Sequence, residues 1–171
     1  MSTTIIPYFE KTPRIAANAF IADGVRIIGD VTIGSKSGIW FNCVIRGDVE
    51  SVTIGERTNI QDGTVIHVTR NGFPTRIGSR ITIGHKALLH ACTLEDDCFI
   101  GMGAIVMDRA VVESGAMVAA GALVPPGKRI KKGEIWAGNP ARFLRMMTEE
   151  ETAFIAISER NYTKHAEEYL S

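Results

Sequence analysis

Three of the chain's four histidines lie within 24 residues, at His67, His85 and His90, inside the stretch IHVTRNGFPTRIGSRITIGHKALLHA from Ile66 to Ala91. A neutral imidazole offers one ring nitrogen to a metal ion and donates a hydrogen bond through the other. Three such rings hold zinc at about 2.0–2.1 Å and leave the fourth tetrahedral position to water, whose pKa falls toward about 7. The chemistry on offer is therefore attack by a metal-activated water on an electrophilic carbon. The fourth histidine, His165, stands apart and reads as solvated surface.

Whether these rings converge depends on the scaffold, and the scaffold is written in a period of six. Aliphatic residues recur at Ile15, Ile21, Ile27, Ile33, Ile39 and Ile45, again at Ile54, Ile60 and Ile66, and at Ile77, Ile83 and Leu89. They continue from Leu94 through Ile100, Val106, Val112, Val118 and Val124 to Ile130. Four residues after most of them sits a small or β-branched residue, such as Val25, Ser37, Cys43, Thr64, Thr93, Ala104 or Ala116. This period fits neither an amphipathic helix nor a long strand. It fits very short strands separated by turns, the hexapeptide signature of a parallel β-helix. Three hexads make a triangular coil of about 18 residues, and coils stack at about 4.8 Å. About 19 hexads predict roughly six coils.

The repeat gives each residue an address. His67 and His90 both directly follow the aliphatic of the third hexad in their coils. They are 23 residues apart, one coil of 18 plus a five-residue insertion, so they stack at one corner. Arg46 holds the same address one coil earlier, with Asp48 beside it. His85 is the third residue of its hexad, on the preceding face, near the column of Trp40 and Gln61. Within one chain it points away from the His67–His90 corner. Three chains packed about a threefold axis would bring the corner of one to the preceding face of the next. The irregularities of the repeat surround these residues: three extra residues between Ile45 and Ile54, five between Ile66 and Ile77, and one fewer between Leu89 and Leu94. Insertions in a solenoid are expected to form loops.

After Ile130 the period stops. The chain is expected to be a single domain over 1–171, with the solenoid over 10–134, a connecting loop over 135–147 and a C-terminal helix over 148–170. Thr148 and Glu151 form a capping box at the helix start. Phe154, Ile155, Ile157, Tyr162 and Tyr169 are its candidate packing residues. Nineteen basic residues balance nineteen acidic ones, which points away from nucleic acid and anionic membranes as partners. No apolar run approaches the roughly 20 residues of a membrane span. No export signal is evident, and the three cysteines have no paired spacing, which places the protein in the cytoplasm, or in an organelle interior if the true start lies upstream. Cys43 and Cys98 fall at inward positions and read as core; Cys92 lies two residues after His90 and is not assigned as a ligand.

The spacing His67-x17-His85-x4-His90 on a hexapeptide solenoid resembles the gamma-class carbonic anhydrase family. RGD at 46–48 and NIQDG at 59–63 match motifs of that family, and GNPAR at 138–142 is shared more widely among hexapeptide-repeat proteins. The resemblance covers nearly the whole chain. It implies a left-handed β-helix assembled as a homotrimer with metal between subunits: His67 and His90 from one chain, His85 from the next. Zinc is the expected metal, with iron or cobalt equally suited to three imidazoles. The resemblance further implies that Arg46 pairs with Asp62 of a neighbour, that Gln61 orients the attacking oxygen, that Asn59 and Asp48 support the ligands, and that Tyr162 lines the active site. The chain departs from the family pattern at its proton-relay glutamates. Val49 follows Asp48, and the loop 68–76, VTRNGFPTR, has no carboxylate and carries Arg70 and Arg76. Weak carbon dioxide hydration is the expectation. The alternatives are an acyl-CoA thioesterase, a hexapeptide acyltransferase, and a trimer merely clipped by zinc.

Overall fold

The computed structural model describes residues 3–171 and is a parallel β-solenoid closed by one C-terminal helix. Its strands are two or three residues long for the most part, as the period of six demands. They stack into three faces. One face runs through Val44–Ile54, Val65–His67, Leu88–His90, Ile105–Val106 and Leu123–Val124. The next runs through Arg14–Ile15, Thr75–Ile77, Thr93–Leu94, Val111–Val112 and Arg129–Ile130. The third runs from Phe20–Ile21 through Gly38–Ile39, Asn59–Ile60, Thr82–Ile83, Phe99–Ile100 and Met117–Val118 to Glu134–Gly138. That last stack counts about seven turns rather than six.

The periodic aliphatics are the core. Ile45 pairs in register with Ile66, Ile66 with Leu89, and Leu89 with Val106, and all four are fully buried. Each such side chain contributes about 1.5–3 kcal/mol of burial. The smaller inward residues fill the triangle's corners: Ser37, Cys43, Thr64, Ala104 and Ala116 are fully buried. At the shortened hexad after Leu89 the order shifts by one. Cys92 takes the buried position, and Thr93, expected there, is half-buried.

Three stretches differ from the sequence expectation. The insertion between Ile45 and Ile54 forms no loop. It lengthens one strand to Val44–Ile54, which bends between two faces beside the strand Arg26–Ile33 with a register shift opposite Gly29–Val31. The segment 135–147, expected as a connecting loop, is a hairpin: Glu134–Gly138 continues the third face in parallel, and Ala141–Met146 folds back antiparallel on it. Asn139 and Pro140 form its tip, between the paired residues Gly138 and Ala141. At the other end the solenoid starts before residue 10, because Thr4–Ile6 pairs with Arg26–Ile28.

The helix spans Glu149–Leu170, with the Thr148–Glu151 capping box in place. It lies on the third face, along Phe20–Ile21, Gly38–Ile39, Asn59–Ile60 and Thr82–Ile83. Its buried residues are Ile155, Ser158, Glu159 and Ala166, so polar groups share the packed side. Glu159 receives a two-pronged hydrogen bond from Arg57, at 3.0 and 3.1 Å, and a third from Thr163. Of the expected packing residues Ile155 is buried and Tyr162 half-buried; Phe154, Ile157 and Tyr169 keep large exposed surfaces, although Tyr169 stacks near Phe20 and Trp40. Among the described residues no helix is long and apolar enough to cross a membrane.

Candidate metal centre

His67 and His90 end adjacent strands of one face. They are direct register partners, with ring centroids 5.3 Å apart. The period placed them there, and the five-residue insertion does not disturb the pairing because it emerges after His67 as the loop 68–74. After His90, one deleted residue forces a tight turn in which Ala91 adopts a left-handed φ of 46°.

The two rings are held differently. His90 Nδ1 lies 2.7 Å from Asp108 Oδ1, and Asp108 Oδ2 accepts a short hydrogen bond from the Thr69 hydroxyl. An ionised carboxylate only accepts, so Nδ1 carries a proton, and in the neutral ring Nε2 then holds the lone pair. His67 instead turns Nε2 to Asp48 Oδ1 at 3.1 Å. Asp48 also accepts from Arg46 Nη1 at 2.6 Å and from the Val49 N–H at 2.8 Å. Burial would raise the Asp48 carboxyl, but those donors and the Arg46 charge outweigh it and hold the group at about 2. Burial lowers His67 below the ordinary imidazole value, against the pull of Asp48. A neutral ring is the form that binds a metal.

His85 occupies a second corner, in the turn after Thr82–Ile83. Its Nδ1 meets Asp62 Oδ2 at 2.7 Å, which again leaves Nε2 with the lone pair. Gly84 lets this turn sit tightly on the next coil, since a Cβ there would stand 2.6 Å from the Met102 nitrogen. Among the described residues no three His, Cys, Asp or Glu side chains converge within one chain. Within the chain Arg46 is engaged with Asp48 and Asp62 with His85.

Beside His85 lies a polar relay. Asn59 Nδ2 donates to the Ile81 carbonyl at 3.3 Å and to Thr82 Oγ1 at 2.9 Å. A carbonyl only accepts, so the Asn59 oxygen must face Gln61, whose Nε2 donates to it at 3.1 Å. Gln61 Oε1 is thereby kept available as an acceptor. The relay ends on the helix, where Ser158 Oγ meets Thr82 Oγ1 at 3.0 Å. Asn59, Gln61, Thr82 and Ser158 are all buried. Gln61, Thr82, Ser158 and Tyr162 line a cleft of about 300 Å³, whose apolar wall includes Phe99, Met102 and Phe154. Tyr162 stacks edge-on to Trp40, and burial followed by the charge of Asp62 raises its phenol.

Sequence reasoning missed Asp108, Thr69, Thr82 and Ser158. Asp108 gave little signal: the shortened hexad after Leu89 makes this coil 17 residues, so Asp108, 18 residues after His90, falls one residue off its address. The cysteines stay outside the site as free thiols, and burial pushes Cys43 and Cys92 up to about 12.

No protein-family model matches the chain. It is 51% identical over 98% of its length to gamma carbonic anhydrase 1, mitochondrial, of Arabidopsis thaliana, and spans 63% of that protein. It is 46% identical to a carbonic anhydrase of Geobacillus kaustophilus, covering 96% of this chain and 90% of the relative. Among solved structures, a hexapeptide transferase family protein of Anaplasma phagocytophilum is 52% identical with a TM-score of 0.93, covering 96% of this chain and 97% of the other. A putative acetyltransferase of Bacillus cereus is 41% identical with a TM-score of 0.96, covering 99% and 98%. With identity near half over almost the whole of this chain, and with the stacked histidines in place on the hexapeptide solenoid, the chain belongs to the gamma carbonic anhydrase family.

Proposed function

We propose that this protein is a metal-dependent carbonic anhydrase working as a homotrimer, with zinc held by His67 and His90 of one subunit and His85 of the next. The observation that carries this reading is the register pairing of His67 with His90, two imidazole rings on adjacent strands. The donor set suits the metal: His85 and His90 each have Nδ1 engaged by a carboxylate, and His67 can present a lone pair once its contact with Asp48 is exchanged. Iron or cobalt would fit the same three imidazoles.

Bound zinc supplies a water acidic enough to act as a nucleophile toward carbon dioxide at neutral pH. The chain's own residues do the rest. Gln61 Oε1, fixed by Asn59, accepts a hydrogen bond and so orients the attacking oxygen. Tyr162 and the apolar residues of the cleft limit water beside it. Arg46 exchanges Asp48 for Asp62 of a neighbour when subunits meet, which frees the Asp48 side of His67. Proton export is the weak step, because Val49 and the loop 68–76 hold no carboxylate.

Stopped-flow carbon dioxide hydration, on protein of assayed metal content beside His90→Ala, tests this. A rate that tracks metal and vanishes in the variant supports it. A metal-loaded trimer with no rate in any buffer sinks it. A second reading, thioester hydrolysis or acyl transfer, is favoured by the apolar cleft beside Gln61 and would show as metal-dependent release of free thiol from acyl-CoA substrates.

A further inference from the structure

We propose that Asp108, clamped by Thr69, is the positioning residue that sets the tautomer of His90 and with it the metal affinity of the site. The inference rests on the metal-binding reading above, and it assigns a role to two residues outside the family motifs found in the sequence.

Asp108 sits in the turn between Ile105–Val106 and Val111–Val112, one coil beyond His90. Its backbone is fixed on both sides. The Gly127 N–H donates to the Asp108 carbonyl at 2.9 Å, and the Arg109 N–H donates to the Ala91 carbonyl at 2.7 Å, tying this turn to the one that carries His90. Its carboxylate uses one oxygen for His90 Nδ1 and the other for the Thr69 hydroxyl. A carboxylate with each oxygen engaged cannot rotate freely, so the imidazole it holds is fixed in both orientation and tautomer.

Thr69 brings the loop into this arrangement. Its N–H donates to the Phe73 carbonyl at 3.2 Å, closing the loop on itself, and the Arg109 guanidinium lies 4.0 Å above the Phe73 ring. The loop therefore grips the Asp108–Arg109 turn at two points, a hydroxyl on the carboxylate and a ring under the guanidinium. A segment with no carboxylate of its own acts on the metal site by bracing the carboxylate that braces His90.

The test compares wild type, Asp108→Ala, Asp108→Asn and Thr69→Val, each checked for a cooperative thermal transition. Zinc affinity is read by competition with a chromophoric chelator, and the His90 tautomer by ring ¹⁵N shifts in metal-free protein. Asp108→Ala is expected to weaken zinc about 10- to 100-fold, the usual cost of losing a carboxylate behind a ligating imidazole. It also moves the His90 proton off Nδ1. Asp108→Asn, which keeps an accepting oxygen without the charge, falls between. Thr69→Val weakens zinc by about 2- to 5-fold, with the carboxylate unclamped but present. Unchanged affinity and an unchanged tautomer in folded Asp108→Ala and Asp108→Asn would overturn the proposal. If wild type binds no zinc, the metal reading fails, while the ¹⁵N shifts still decide whether Asp108 sets the tautomer.

Discussion

The two corners that carry the histidines stand on the same kind of core and are built in different ways. At the first, His67 and His90 are locked by strand register, and their holders are side chains of the solenoid: Asp48, Asp108 and Thr69. At the second, His85 rests on Asp62, while its neighbour Gln61 is aimed by a relay that ends on the C-terminal helix at Ser158. On the proposed reading, one corner would supply two ligands, and its residues are held within the solenoid by register and by these side chains. The other would supply one ligand and an oriented amide, and its relay reaches the docked helix. A chain that carries complementary halves at different corners has a geometric reason to assemble.

The sharpest way to break this comparison is to remove a ligand from each corner in separate chains. His90→Ala and His85→Ala are each expected to lose zinc by more than about 100-fold, since a single imidazole lost from three removes a third of the donors. Co-folded in equal amounts, the two variants are expected to regain about one site in four by random assortment, because a wild-type corner then meets a wild-type face. Metal analysis of the purified mixture reads this directly. No recovery would mean that the three histidines do not meet across subunits.

A second test asks whether the corners differ in core or only in polar holders. Leu89 lies beneath the first corner and Ile83 beneath the second, and both are fully buried. Truncating either to Ala should cost about 2–5 kcal/mol, read from urea midpoints. A loss confined to one of them would move the distinction from the holders to the solenoid itself.

The third test uses acid. The Asp48 carboxyl is held at about 2, against an ordinary 3.8, by Arg46, the Val49 N–H and His67. Its stabilising effect is therefore complete above its ordinary value and lost as pH falls from about 4 to about 2. In metal-free protein the gap in unfolding midpoint between wild type and Asp48→Asn should close as pH falls from about 4 to about 2. A gap that stays open at pH 2 would show that Asp48 acts by shape rather than charge.

The legible and illegible parts of this molecule divide along the same line. A period of six fixes where a backbone goes, so the stacking of His67 on His90 and the separate corner of His85 could be read from spacing alone. The polar holders obey no period. Asp108 lies one coil from His90 yet one residue off its address, and Ser158 comes from a helix whose docking face could be judged only by hydrophobicity. That judgement favoured Phe154 and Ile157 and passed over Ser158 and Glu159, which are buried because Thr82 and Arg57 receive them. The hairpin over 134–146 was hidden for a related reason: Gly138 and Pro140 mark a turn, but not whether the strands on either side will pair.

The smallest expected effect is the one that best isolates the second corner. Ser158→Ala removes one hydroxyl partner from Thr82, whose Oγ1 still accepts from Asn59, and the stability cost should be about 0.5–1.5 kcal/mol. The relay loses its anchor on the helix, and the Asn59 and Gln61 amides gain freedom to turn. Turnover of carbon dioxide should fall a few-fold, because an amide that presents nitrogen instead of oxygen no longer orients the attacking group. Zinc affinity should not change, since none of the atoms holding His67, His85 or His90 is touched. Ser158→Thr, which keeps the hydroxyl, should restore the rate. Measuring kcat and zinc affinity on the same preparations separates the corners: a fall in both would mean that the helix supports the ligands themselves, and the division drawn between ladder and helix would have to be abandoned.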